Sequence, residues 1–98
     1  MKNTKIQPNP FYPGRGIDGV TRIKNNTTAE ERVSIEIYNV AGERIVTLLE
    51  NEPKPANQWW DVGWDGTNYR GEYVASGVYL CWVRVGSQEK VVKIAVIR

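Results

Sequence analysis

Val33, Ile35 and Ile37 alternate with Ser34, Glu36 and Tyr38 in the stretch "RVSIEIYNV", and this period of two predicts a half-buried β-strand. "ERIVTLL" (Glu43 to Leu49) follows Asn39 and Gly42, which carry turn chemistry, so the two segments predict a hairpin. "QWWDVGW" (Gln58 to Trp64) predicts a third strand, entered through Pro53 and Pro55, which exclude a helix there. "VYLCWVRV" (Val78 to Val85) and "KVVKIAVI" (Lys90 to Ile97) are the longest strand candidates. A "GSQE" hairpin loop joins them, with Gly86 available for a positive φ. "VTRIK" (Val20 to Lys24) adds an earlier strand. Residues 1–7 read either as an edge strand over "TKIQP" or as a disordered or linker-derived N-terminus. "TTAEER" (Thr27 to Arg32) has a cap-like pattern but is too short for a helix, and reads as a polar loop. Strands and turns at this spacing predict one all-β domain over residues 1–98, an immunoglobulin/fibronectin-III-like β-sandwich of about seven antiparallel strands.

Between the third strand and the long one lies "WDGTNYRGEYVASGVY". Gly66 supplies the positive φ of a tight turn, Asn68 tolerates a left-handed conformation, and Gly71 permits a second reversal. "ASG" (Ala75 to Gly77) forms a third corner, in which small residues let the chain pass close to its neighbour. On the strand that follows, Tyr79, Cys81, Val83 and Val85 are the inward set, matched by Val92, Ile94 and Val96 on the last strand. Arg84 then faces solvent, and Trp82 is half covered. Phe11 or Tyr12, in the proline-rich "QPNPFYPGRG", is expected to pack on the sandwich edge.

Composition narrows the function more than it names one. Hydrophobic residues at 41% and charged residues at 24% are ordinary for a folded domain. The net charge of +2 is spread along the chain, which argues against a nucleic-acid footprint. The chain has no histidine, so the commonest general base and metal ligand are both missing. The single cysteine, Cys81, cannot form an intrachain disulfide. No apolar run reaches the roughly 20 residues of a membrane-spanning helix. "MKNTKIQPNP" lacks the apolar core of a signal peptide, and the chain is expected to be one domain of a larger protein.

Each residue with chemical potential has a plainer use. Trp59, Trp60, Trp64 and Trp82 could form a platform for sugar rings, but large aromatics dominate sandwich cores. Adjacent Trp59 and Trp60 point to opposite faces, so one of them is expected at the surface. Asp61, Asp65, Asn68 and Glu72 match no calcium loop, and side chain to backbone bonds in turns account for Asp65 and Asn68. Mid-strand Cys81 has no activating partner and reads as a buried thiol. Glu30, Glu31, Glu36 and Glu43 read as polar loop and strand-face residues, so no catalytic pair is expected. "RGEYV" (Arg70 to Val74) is a candidate edge strand for pairing with another chain.

The succession "QPNPFYPG", "VSIEIYNVAGERIVTLL", "WDGTNYRGEYVASGVYLCWVRVG" and "KVVKIAVIR" resembles the FlgD-type immunoglobulin-like domains and the related C-terminal sorting domains of type IX secretion cargo. The resemblance runs from Pro8 to Arg98. Its most specific piece is Trp64, Asp65, Gly66, Asn68 and Gly71 with Ser76, Gly77 and Tyr79. It implies a non-enzymatic accessory domain of an exported bacterial protein, secreted or at the cell surface. Such a domain serves as a secretion-sorting or assembly interaction module. A hook-cap-type structural scaffold domain and a carbohydrate-binding module appended to a secreted hydrolase are the alternatives. Protein is the expected partner, with Trp59, Trp60, Lys90, Lys93 and Arg98 as the candidate partner surface. No catalytic residue, metal or cofactor is expected. A monomer is expected, with edge-strand pairing as the route to a dimer.

Overall fold

The alternating apolar stretches each become a strand in the computed structural model, which describes residues 4–98. The strands are β1 (Lys5–Gln7), β2 (Thr21–Asn26), β3 (Glu31–Asn39), β4 (Arg44–Lys54), β5 (Trp59–Trp64), β6 (Gly77–Val85) and β7 (Gln88–Val96). A short 3₁₀ turn over Gly16–Gly19 precedes β2. All strand pairings are antiparallel, in a three-stranded sheet ordered β1-β2-β5 and a four-stranded sheet ordered β4-β3-β6-β7. The two pack as a β-sandwich of the immunoglobulin/fibronectin-III class, with the fourth strand beside the third.

The inward faces follow the period-two reading. Val33, Ile35 and Ile37 on β3 and Cys81 and Val83 on β6 are fully buried. Tyr79 and Val85 complete the β6 set, and Ile94 and Val96 answer it from β7, while Val92 is half-buried near the open end of the strand. From the other sheet come Ile23, Trp60 and Trp64. Phe11 stands 5.4 Å from Trp64, and Trp64 stands 5.7 Å from Tyr79, ring centre to ring centre, an aromatic column through the core. Each such pair contributes about 0.5–1.5 kcal/mol beyond the burial of its area.

Several boundaries differ from the expectation, each for a visible reason. Lys5–Gln7 forms β1 against β2, within the edge strand expected over "TKIQP"; residues 1–3 lie outside the described residues. Strand β2 runs on to Asn26, with its inward positions held by Thr21, Ile23 and Asn25. Two of these are polar, which breaks the apolar alternation in sequence. Thr21 Oγ1 donates to Pro8 O at 2.7 Å, and Asn25 Nδ2 donates to Thr4 Oγ1 at 3.0 Å, so both are satisfied in the interior. Glu31, expected in a loop, opens β3 ahead of Arg32. Strand β4 extends to Lys54 through Pro53, tolerated because β4 is an edge strand. Gln88 already pairs with Val85, so the hairpin loop shortens to Gly86 and Ser87, with Gly86 at φ +58°.

Phe11 is a correction of a different kind. It is fully buried, where a position on the sandwich edge was expected. Its backbone forms a parallel bridge with Val96, receiving Ile97 N–H and donating to Ala95 O, both at 3.0 Å. The proline-rich segment therefore acts as a short strap along β7 and drives one aromatic ring into the core.

Candidate interaction surfaces

The segment from Trp64 to Tyr79 is built by side chains that close its turns. Trp64 is buried, and its indole N–H donates to Thr67 O at 2.9 Å. Asp65 Oδ1 accepts from Thr67 N–H at 3.1 Å and from Thr67 Oγ1 at 2.6 Å, an Asx turn. Gly66 has φ +83° and lies against Pro13 and Phe11. Val74 N–H returns to Gly66 O at 2.9 Å and closes the whole loop. Tyr79 donates its hydroxyl to Ala75 O at 2.8 Å, and burial raises its pKa. Ser76 Oγ accepts Arg98 N–H at 2.9 Å. The positive φ of Gly71, +77°, completes the reversal.

Asn68 works differently from expectation. Its backbone is not left-handed; Asn51 and Asn57 are the described non-glycine residues with positive φ. Its side chain closes the turn instead, Oδ1 accepting from Arg70 N–H at 2.9 Å and Glu72 N–H at 3.1 Å. Arg70 to Val74 is a turn with a single Thr67–Tyr73 bridge, and the edge strand expected there does not form. The polar groups of that segment are turned back into the loop by Asn68, leaving no strand for another chain to join.

The same turn occurs twice, and sequence reading missed it. "NVAGE" (Asn39 to Glu43) between β3 and β4 matches "NYRGE" (Asn68 to Glu72) bond for bond. Asn39 Oδ1 accepts from Ala41 N–H at 3.0 Å and Glu43 N–H at 2.9 Å, and Gly42 takes φ +85°. In both, the asparagine N–H donates to the glutamate carbonyl, at 3.0 Å for Asn39 and 2.8 Å for Asn68. The second residue of each turn, Val40 or Tyr69, is thrust into solvent. The signal was present as N-x-x-G-E in two places.

The five residues of the candidate partner surface do not converge. Trp60 is buried in the core, and Trp59 lies on the outer face of the three-stranded sheet with Lys5 Nζ 5.6 Å from its ring centre. A shallow hollow of about 320 Å³ beside Trp59 is lined also by Gln7, Lys24 and Asp61. Lys90 and Lys93 are exposed on β7 in the opposite sheet. Arg98 is engaged: its guanidinium donates to Val74 O at 3.3 Å and lies 5.4 Å from the Tyr73 ring centre. Trp64 belongs to the core and Trp82 to the outer face of the four-stranded sheet, 5.9 Å from Tyr38. No two tryptophans share an exposed platform among the described residues.

Cys81 carries the chain's one thiol. Cys81 is buried, and burial pushes its thiol up to about 12, so it stays protonated at neutral pH. Among the described residues no group of three or more His, Cys, Asp or Glu side chains is placed to hold a metal ion. Among the described residues no helix is long and apolar enough to cross a membrane.

No protein-family model and no curated protein sequence matches the chain. Solved structures do. Over 99% of its length the chain superposes on part of PorZ from Porphyromonas gingivalis, an essential bacterial surface component of the type IX secretion system. The TM-score is 0.68 at 23% identity, and the match spans 12% of PorZ. Dimeric latent PorU from the same bacterium superposes over 97% of the chain, with a TM-score of 0.68 and 20% identity, across 9% of PorU. These likenesses establish the fold. The chain spans only about a tenth of either protein.

Proposed function

We propose that this chain is a non-catalytic accessory domain of an exported bacterial protein, acting as a secretion-sorting or cell-surface interaction module. The observation that carries the reading is the full-length superposition on a small part of PorZ, a surface component of the type IX secretion system. A domain that recurs within a much larger surface protein is used there as a module. The chain's own chemistry supports this: Asp65 and Asn68 in the most specific segment close its turns, and the one thiol is buried and protonated. Recognition, with no bond made or broken, is the mechanism. The exposed lysines of β7 and the loop tips bearing Val40 and Tyr69 are among the parts of the described surface exposed to a partner.

The test is a fusion of the domain to the C-terminus of a periplasmic reporter in a bacterium with type IX secretion. Extracellular reporter is the expected result. Removing "KVVKIAVIR" would also delete core residues Ile94 and Val96, so loss of export in that deletion alone is ambiguous. A Lys90→Glu, Lys93→Glu fusion keeps the core and isolates the surface. Export lost in this folded variant alone would assign the signal to the β7 lysines, and a folded wild-type fusion retained in the periplasm would refute the sorting role.

A further inference from the structure

Strand β7 is the outer strand of the four-stranded sheet, and its far side is covered over only part of its length. Asn9 Nδ2 donates to Lys93 O at 2.8 Å, and Asn9 Oδ1 accepts Ala95 N–H at 2.9 Å. Phe11 bonds Ala95 O and Ile97 N–H. Residues 93, 95 and 97 thus turn their peptide groups outward. The β6–β7 ladder runs from Gln88 to Val96 without a register shift, so Glu89 and Val91 turn theirs outward too. The strap ends at Asn9, and no strand among the described residues pairs with Glu89 or Val91 on that side. Val91 is 51% exposed there, an apolar side chain on an open edge.

The other edge of this sheet is blunted. Strand β4 carries register shifts against β3, contains Pro53, and has Tyr69 N–H already seated on Ile45 O at 3.1 Å.

We propose that β7 pairs antiparallel with β7 of a second copy of this chain, about a two-fold axis through Val91. Outward peptide groups at 89, 91 and 93 allow only registers that join odd-numbered residues to odd-numbered residues. Centred on Val91, the pairing sets Glu89 opposite Lys93 of the second copy, twice, with Val91 against Val91. A register centred on residue 90 sets Lys90 against Lys90, and one centred on residue 89 sets Glu89 against Glu89; like charges directly opposite are unfavourable. Centring on residue 92 or beyond requires the peptide group of Ala95, which the strap occupies. One register therefore has matched charges and leaves the peptide groups of Glu89 and Val91 and the Lys93 N–H free to bond, while Lys93 O keeps Asn9 Nδ2. In it the two four-stranded sheets become one continuous sheet, and the exposed Val91 side chains cover each other. The interface is small, so the dimer is concentration-dependent.

Sedimentation equilibrium of the purified domain over a wide concentration range tests this. The wild type is expected to show a monomer–dimer equilibrium. Lys93→Glu replaces two attractive pairs by two repulsive ones and weakens the dimer by about tenfold or more. Glu89→Lys added to Lys93→Glu reverses both charges across the interface and restores it, while breaking the exposed Arg84–Glu89 pair (3.6 Å) within each copy. Val91→Pro gives an independent check, because the Val91 N–H points away from β6; that variant should fold by circular dichroism and remain monomeric. A wild type that stays monomeric at millimolar concentration overturns the proposal. So does a dimer that survives Lys93→Glu or Val91→Pro, or one that the double charge reversal fails to restore.

Discussion

Gly66 and Pro13 are packed so closely that a Cβ on Gly66 would lie 2.6 Å from Pro13 Cγ. This contact ties the loop after β5 to the proline-rich strap, and the same strap places Phe11 beside Trp64. The motif that dominates the sequence thus serves the core. Its residues hold two distant segments together around an aromatic column.

Gly66→Ala should therefore be costly on two counts. The φ of +83° disfavours any side chain, and the new methyl group would collide with the pyrrolidine ring. We expect a loss of about 2–4 kcal/mol in urea unfolding. A change below about 0.5 kcal/mol would show that the loop and strap are not packed as described.

The twin turns give a paired prediction. Asn39→Ala and Asn68→Ala each remove an acceptor for two backbone amides near the surface, and each should cost about 1 kcal/mol. The two losses should add within about 0.5 kcal/mol, since the turns close independently. Thermal or urea denaturation of the two single variants and the double variant measures this directly.

Tryptophan substitutions should separate by position. Trp64→Ala removes the centre of the aromatic column and is expected to cost about 3–5 kcal/mol. Trp59→Ala, on the outer face, should cost less than about 1 kcal/mol. Equal effects in denaturant titrations would contradict the assignment of faces on β5.

Cys81 makes stability depend on pH on the alkaline side. Its pKa is raised in the folded state to about 12, so the native protein keeps a proton that the unfolded chain releases above its ordinary value. The contribution is fully present below that ordinary value and is lost as pH rises toward 12. Wild type should lose more stability than Cys81→Ala between neutral pH and about pH 10.5, by up to about 1.4 kcal/mol per pH unit in that window. Native Cys81 should also resist alkylation until the protein unfolds.

Much of the architecture was readable because half-buried strands write their burial as alternation. Val33 to Ile37, Tyr79 to Val85 and the split between Trp59 and Trp60 all obey that rule. What escaped the sequence was fixed by partners distant in the chain. Thr21 and Asn25 are polar yet inward, because Pro8 and Thr4 supply their hydrogen bonds. Phe11 reaches the core only because Asn9 and Phe11 strap β7. Arg98 looked like a free surface charge, but Ser76 and Val74 hold it against the corner of the motif. The edge expected at Arg70 to Val74 was lost to a local competitor, the Asn68 side chain, while part of the β7 edge lies open.

The central claim is that this domain directs or attaches a larger exported protein. The most direct measurement compares extracellular reporter from cells carrying the fusion with a working type IX system and from cells in which that system is disabled. The account predicts folded reporter outside the first cells and retained in the second. Equal amounts outside both, or none outside either despite a folded fusion, would contradict it.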